Sequence, residues 1–127
     1  MKIDSKKIEQ AQKALKSSKI VDAEGQYDKE FKGYISSFGA SVAHAGLLPT
    51  IIFFEAESEQ AKERKKVITA LVKMLKIDDS KPLSKSILEG TIANDKTLLC
   101  TVTESMVALK LALRLYKEKK EKKTDND

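Results

Sequence analysis

The chain has 127 residues, 24 Lys+Arg against 19 Asp+Glu, a formal net charge of +5, 41% apolar and 34% charged residues, one Cys and one His. That length suits one domain, large enough to bury a core without disulfides or a structural metal. Cys100 has no second cysteine to pair with and fits a reducing cytoplasm. The start MKIDSKKIEQ lacks the apolar core of a secretion signal, and no run approaches the about 18 consecutive apolar residues of a membrane span, so secretion and membrane spanning are excluded.

Lys, Glu, Ala and Leu dominate long stretches interrupted by two prolines and five glycines, which predicts an all-α bundle of about five to six helices. Residues 1–118 form the expected single domain, and the apolar-free run beyond Lys117 predicts a charged, disordered tail over 119–127. The first helix is predicted from about Asp4 to Val21, capped by Asp4 or Ser5. Ile8, Ala11, Ala14 and Leu15 lie on one side, with Lys2, Lys6, Lys13 and Lys16 opposite. After a turn at Asp22–Gly25, Tyr27, Phe31, Tyr34, Ile35 and Phe38 carry helical spacing through GASVAHAG. Its small residues make that helix thin enough for close neighbours. Gly46 suits a left-handed stop, and Pro49 suits the first turn of a buried helix reaching about Glu57.

From Ala61 to Ile77, Val67, Ile68, Leu71, Met74 and Leu75 face one way; Lys62, Lys66 and Lys73 line up on the other, flanked by Lys65 and Lys76. Asp78–Pro82 reads as a turn, with Pro82 opening a short helix that Gly90 ends, and Asn94-Asp95 as another turn. Thr101-Val102-Thr103-Glu104 has the form of a capping box, which predicts that the last helix starts there. That helix is apolar round most of its circumference, and Lys110, Arg114 and Lys117 form its polar strip. Such a helix is either central to the bundle or covered by a partner.

The chemistry on offer is sparse. One histidine cannot build a His-His metal pair, and the scattered glycines exclude nucleotide-binding phosphate loops, so no cofactor and no metal is expected. His44 reads as a helix-surface or packing residue and Cys100 as a small buried hydrophobe. Asp78 and Asp79 read as turn formers rather than metal ligands. Phe31, Phe38, Phe53 and Phe54 read as core. The lysine rows are the functional clue, because aligned cations attract phosphates, although helices in water commonly carry a charged outer face and Glu55, Glu57, Glu59 and Glu63 make the charge patchy.

The run Tyr34-ISSFGASVAHAGLLPTIIFFE, then a Lys/Arg-bearing helix, then Thr101-VTESMVALKLALRLY, resembles the small α-helical fifth subunit of the Cmr complex, the type III-B CRISPR effector. The resemblance covers roughly residues 28–118 and departs in lacking a tryptophan and two consecutive basic residues in the last helix. It implies a compact helical protein without nuclease activity, whose copies stack into a minor filament beside other Cmr subunits and help hold guide and target RNA in antiviral defence. On that reading Lys62, Lys66 and Lys73, with Lys110, Arg114 and Lys117, are the candidate RNA phosphate contacts, since phosphate binding needs donors and charge rather than base geometry. The alternative is a helical protein-interaction adaptor or antitoxin-like homo-oligomer without RNA contact. An enzyme built on Cys100 or His44 is the weakest reading.

Overall fold

A computed structural model describes residues 2–56 and 61–120. In chain order it contains α1 (Ser5–Ser17), β1 (Gln26–Tyr27), α2 (Glu30–Ala45), α3 (Leu47–Glu55), α4 (Ala61–Leu75), α5 (Leu83–Leu88), α6 (Lys96–Leu113) and β2 (Lys117–Glu118). The helical class is as the sequence predicts, with the addition of one two-residue parallel strand pair.

The helix boundaries follow from local chemistry. The Asp4 carboxylate accepts the Lys7 backbone N–H at 2.9 Å and caps α1. The helix stops at Ser17, short of the expected Val21, where Lys19 enters the left-handed region at φ 66°. Ile20 and Val21 are still buried, held by the Val21 N–H on the Leu15 carbonyl at 3.1 Å. Tyr27, expected within the second helix, belongs to β1 instead.

The corner between α2 and α3 is tightly specified. Gly46 takes φ 95°, a conformation that strains any side-chain-bearing residue. Fully buried Thr50 donates its hydroxyl to the Gly46 carbonyl at 2.8 Å and lies 2.7 Å from the Ser41 hydroxyl. This ties the two helices across the turn. Phe38 and Phe54 then pack edge to face, with ring centroids 5.1 Å apart.

Two expectations fail for one reason. Helix α3 is apolar on every side, but a nine-residue helix on a small core can bury only one face. Leu47, Thr50, Ile51 and Phe54 are buried, whereas Ile52 is 47% and Phe53 55% exposed, so neither the whole helix nor all four phenylalanines belong to the core. The Arg64 guanidinium lies over the Phe53 ring, 4.5 Å from its centroid. The expected end of this helix near Glu57 lies outside the described residues.

Short helix α5 is fastened from a distance: the Glu55 carboxylate accepts the Ser84 backbone N–H at 3.2 Å and the Ser84 hydroxyl. Pro82 is its N-cap rather than its first residue, and Gly90 at φ 79° ends the segment. Asp78 accepts from the Ser80 N–H and hydroxyl at 2.9 and 2.7 Å, as a turn-forming carboxylate does.

Helix α6 starts five residues before the expected capping box. Asp95 is the cap, accepting the Leu98 N–H at 3.0 Å, and the Thr101 hydroxyl instead bonds back to the Thr97 carbonyl at 2.8 Å. With its first turn formed, Cys100 falls on the outer side of α6 and is exposed, contrary to the expectation of burial.

Helix α6 packs on α1, α2 and α4, and α1 and α2 also reach α4; α3 joins α2 to α4, and α5 rests on α3. The most extensive of these seams is α1 on α6. Ala11 and Ala14 on α1, and Ser105, Ala108 and Ala112 on α6, are at most 2% exposed. Short side chains there let the two backbones approach closely.

The C-terminal segment closes the structure. The Lys117 N–H bonds to the Gly25 carbonyl at 3.0 Å and the Lys119 N–H to the Tyr27 carbonyl at 2.8 Å. The Lys119 ammonium lies 3.5 Å from Asp22 and 3.8 Å from Asp28, and Lys32 pairs with Glu118 at 3.4 Å. Residues 121–127, most of the predicted tail, lie outside the described residues.

Three outcomes check this account. Asp95→Ala should lower stability by about 1 kcal/mol in urea unfolding, while Thr101→Ala leaves it nearly unchanged, because only the first removes a cap. Ser105 is fully buried and its hydroxyl has no hydrogen-bond partner among the described residues. Ser105→Ala should therefore unfold at the same or a higher temperature, whereas Ser105→Leu, forced into the seam, should cost about 1–3 kcal/mol. The Gln26 backbone N–H, supported by the Glu24 N–H and by Lys119, holds the Asp22 carboxyl below its usual 3.8 against an opposing desolvation. A lowered folded-state value contributes stability above about pH 3.8 that is lost as the pH falls through the folded value. The melting temperature should therefore fall less steeply below pH 4 in Asp22→Asn than in the parent chain.

Candidate nucleic-acid interface

The six predicted phosphate contacts divide into groups. Lys62, Lys66 and Lys73 share the outward face of α4, because four- and seven-residue steps return to nearly the same side of a helix. Lys62 and Lys73 are exposed. Lys66 is half-buried: its ammonium pairs with Glu63 at 3.3 Å and lies 5.8 Å from the centroid of the Phe31 ring. A partly exposed pair of this kind contributes little to stability and opens readily to a stronger anion. Of the flanking residues, Lys65 borders a hollow between α3, α4 and α5, and Lys76 ends α4 at φ 55°.

Lys110 and Arg114 lie four residues apart on the outer side of α6, while Lys117 is past the end of the helix, in β2. All three side chains are exposed. The expected continuous strip is thus broken at Leu113, where the chain turns to pair with β1. What gathers cations here is α2. Lys32, Lys110 and Arg114 border one hollow of about 300 Å³ together with Gly33 and Ser36.

That hollow continues along the α2–α6 seam. Ile35, Ser36 and Lys110 also border a second hollow of about 190 Å³, and Gly39, Val42 and Thr103 link the second to a third of about 750 Å³ reaching Lys96. The sequence shows why α2 is thin along this side. Gly33, Ser36, Gly39 and Ala43 recur at helical spacing, and at Gly33 and Gly39 an added Cβ would meet nothing within 4 Å. The small residues anticipated a close neighbour, but this wall faces open space. Lys32 and the groove escape sequence reasoning, because helical spacing identifies a face without saying whether another element covers it.

Among the described residues no group of three or more His, Cys, Asp or Glu side chains could hold a metal ion. His44 is exposed in the last turn of α2, and Cys100 is exposed on α6. No helix among the described residues is long and apolar enough to cross a membrane.

The corner at Gly46-Leu47-Leu48-Pro49, the basic face of α4 and the long apolar α6 are the segments on which the resemblance to the Cmr small subunit rests. No curated protein and no solved structure matches the chain. The family model for the CRISPR-associated protein Cas_Cmr5 matches residues 6–122, from the first turn of α1 to just beyond β2. The chain belongs to the Cas_Cmr5 family of CRISPR-associated proteins.

Proposed function

We propose that this chain is a non-catalytic small subunit of a type III-B CRISPR (Cmr) ribonucleoprotein, working in the cytoplasm in antiviral defence. It associates with the other Cmr subunits, stacks with copies of itself as a minor filament, and helps hold guide and target RNA. The observation that carries the RNA part is the α4 face, where Lys62 and Lys73 are exposed and Lys66 sits between them in a pair that can open. Cations in a row on a rigid helix can follow a phosphate backbone without reading its sequence. Lys117 adds a further exposed cation at the start of β2.

A few phosphate contacts per copy bind weakly, so arraying copies along one RNA is what makes them effective. Each contact contributes about −0.7 to the log–log salt slope for a single strand. Strand cutting, on this reading, belongs to other subunits.

The adaptor reading is favoured by a separate observation, the exposed Ile52, Phe53, Leu99, Leu111 and Leu115. Scattered apolar side chains are ordinary on a protein surface, and this reading leaves the aligned α4 lysines without a role.

In the reconstituted complex, Lys62→Glu/Lys66→Glu/Lys73→Glu should weaken RNA retention and flatten the salt slope by about 2, with helix content unchanged by circular dichroism. Because Lys66 also lies against Phe31, Lys62→Glu/Lys73→Glu is the companion variant and should show the same direction. Unchanged RNA retention in both would remove these positions from the interface, and protein association insensitive to RNA would favour the adaptor.

A further inference from the structure

We propose that the groove between α2 and α6 is a docking site for an amphipathic helix of another protein subunit, one that places acidic side chains over Lys110 and Arg114. The proposal rests on membership of a multisubunit complex, and it assigns those two cations to a protein contact instead of RNA.

The occupant's chemistry follows from three properties of the groove. Its length is set by α6 from Lys96 to Arg114, about 27 Å at 1.5 Å per residue, which matches a helix of about 18 residues. Its floor is apolar, with Ile35 and Met106 contributing from the two helices. Its α2 wall has no side-chain bulk at Gly33 and Gly39. A third helix can settle its ridge of apolar side chains between α2 and α6, with its backbone close to that wall.

Charge selects among such helices. At one end Lys110 and Arg114 have no ion-pair partner among the described residues, while neighbouring Lys32 is already paired with Glu118 at 3.4 Å. Covering this end with an apolar or basic segment would strip water from cations without replacing it; carboxylates at that end supply the compensation.

RNA fits this groove less well. Tyr27, the aromatic residue at the basic end, is 3% exposed and offers no face for a base to stack on. Phosphates held at the rim would leave the apolar floor wet. The α4 lysines keep the RNA role proposed above.

The test uses the complex purified with its other Cmr subunits. A Gly39→Cys/Cys100→Ser chain carries a benzophenone on its single thiol and is photolysed after assembly. The expected product joins position 39 to a helical segment of a different subunit, with acidic residues toward the Lys110 end. Groove-filling Gly33→Leu and charge-reversing Lys110→Glu/Arg114→Glu should each reduce retention of that subunit about tenfold, while Ser37→Leu, at an exposed position across α2 from Gly39, does not. Circular dichroism confirms that each variant is folded. Cross-linking to RNA or to a second copy, or no cross-link within an intact complex, would overturn the groove assignment and leave complex membership standing. Failure of the unmodified chain to co-purify with the other subunits would overturn membership, and the groove assignment with it.

Discussion

The burial of α6 is the constraint from which the rest of the architecture follows. An 18-residue helix with leucine, valine, methionine and alanine round most of its circumference cannot be satisfied by one neighbour. Three helices pack on it, and each does so with a different surface. Helix α1 brings buried alanines to the shared core and α4 brings Val67, Leu71 and Met74, while α2 meets α6 through Ile35 and Phe38 and leaves a hollow beside them. The incomplete third covering produces the groove, and the same residues that make α2 slender leave that side open. Core formation and the candidate docking surface are thus two results of one packing problem.

Electrostatics divide the molecule along similar lines. The α4 lysines stand on a helix whose opposite face is buried, so their positions are rigid while Lys62 and Lys73 stay in water and Lys66 is half-buried beside Glu63. The cations of the α2–α6 rim stand beside apolar surface that is not yet covered. Equal charges in these two settings suit different ligands: a hydrated rigid row suits a polyanion, and a cation bordering an apolar trough suits a carboxylate on an amphipathic segment.

Much of this was legible from residue order. Gly46 before Leu-Leu-Pro, the turn before Pro82, the apolar stripe of α4 and the outward direction of its lysines all depend on contacts within a few residues. The departures arise where two local patterns compete or where distance matters. Asp95 and Thr101 are both competent caps, and the choice rests on whether residues 96–100 gain enough by packing, which Leu98, half-buried against the core, decides. Phe53 and Ile52 satisfy helical spacing as well as Phe54 does, and only the number of neighbours available to α3 separates them. The pairing of β1 with β2 has no periodicity to detect in two residues per strand. For the candidate site, the lysines were visible individually, whereas the groove needed α2 and α6 to be placed side by side.

The parallel clip between Gln26–Tyr27 and Lys117–Glu118 joins segments about ninety residues apart. Closing so long a loop for two strand residues is entropically unfavourable unless the intervening helices have already brought the ends together. During synthesis the Gly25 and Tyr27 carbonyls therefore wait without their strand partners until the final helix has left the ribosome. A newly made copy completes its N-terminal turn last, although that turn was translated among the first.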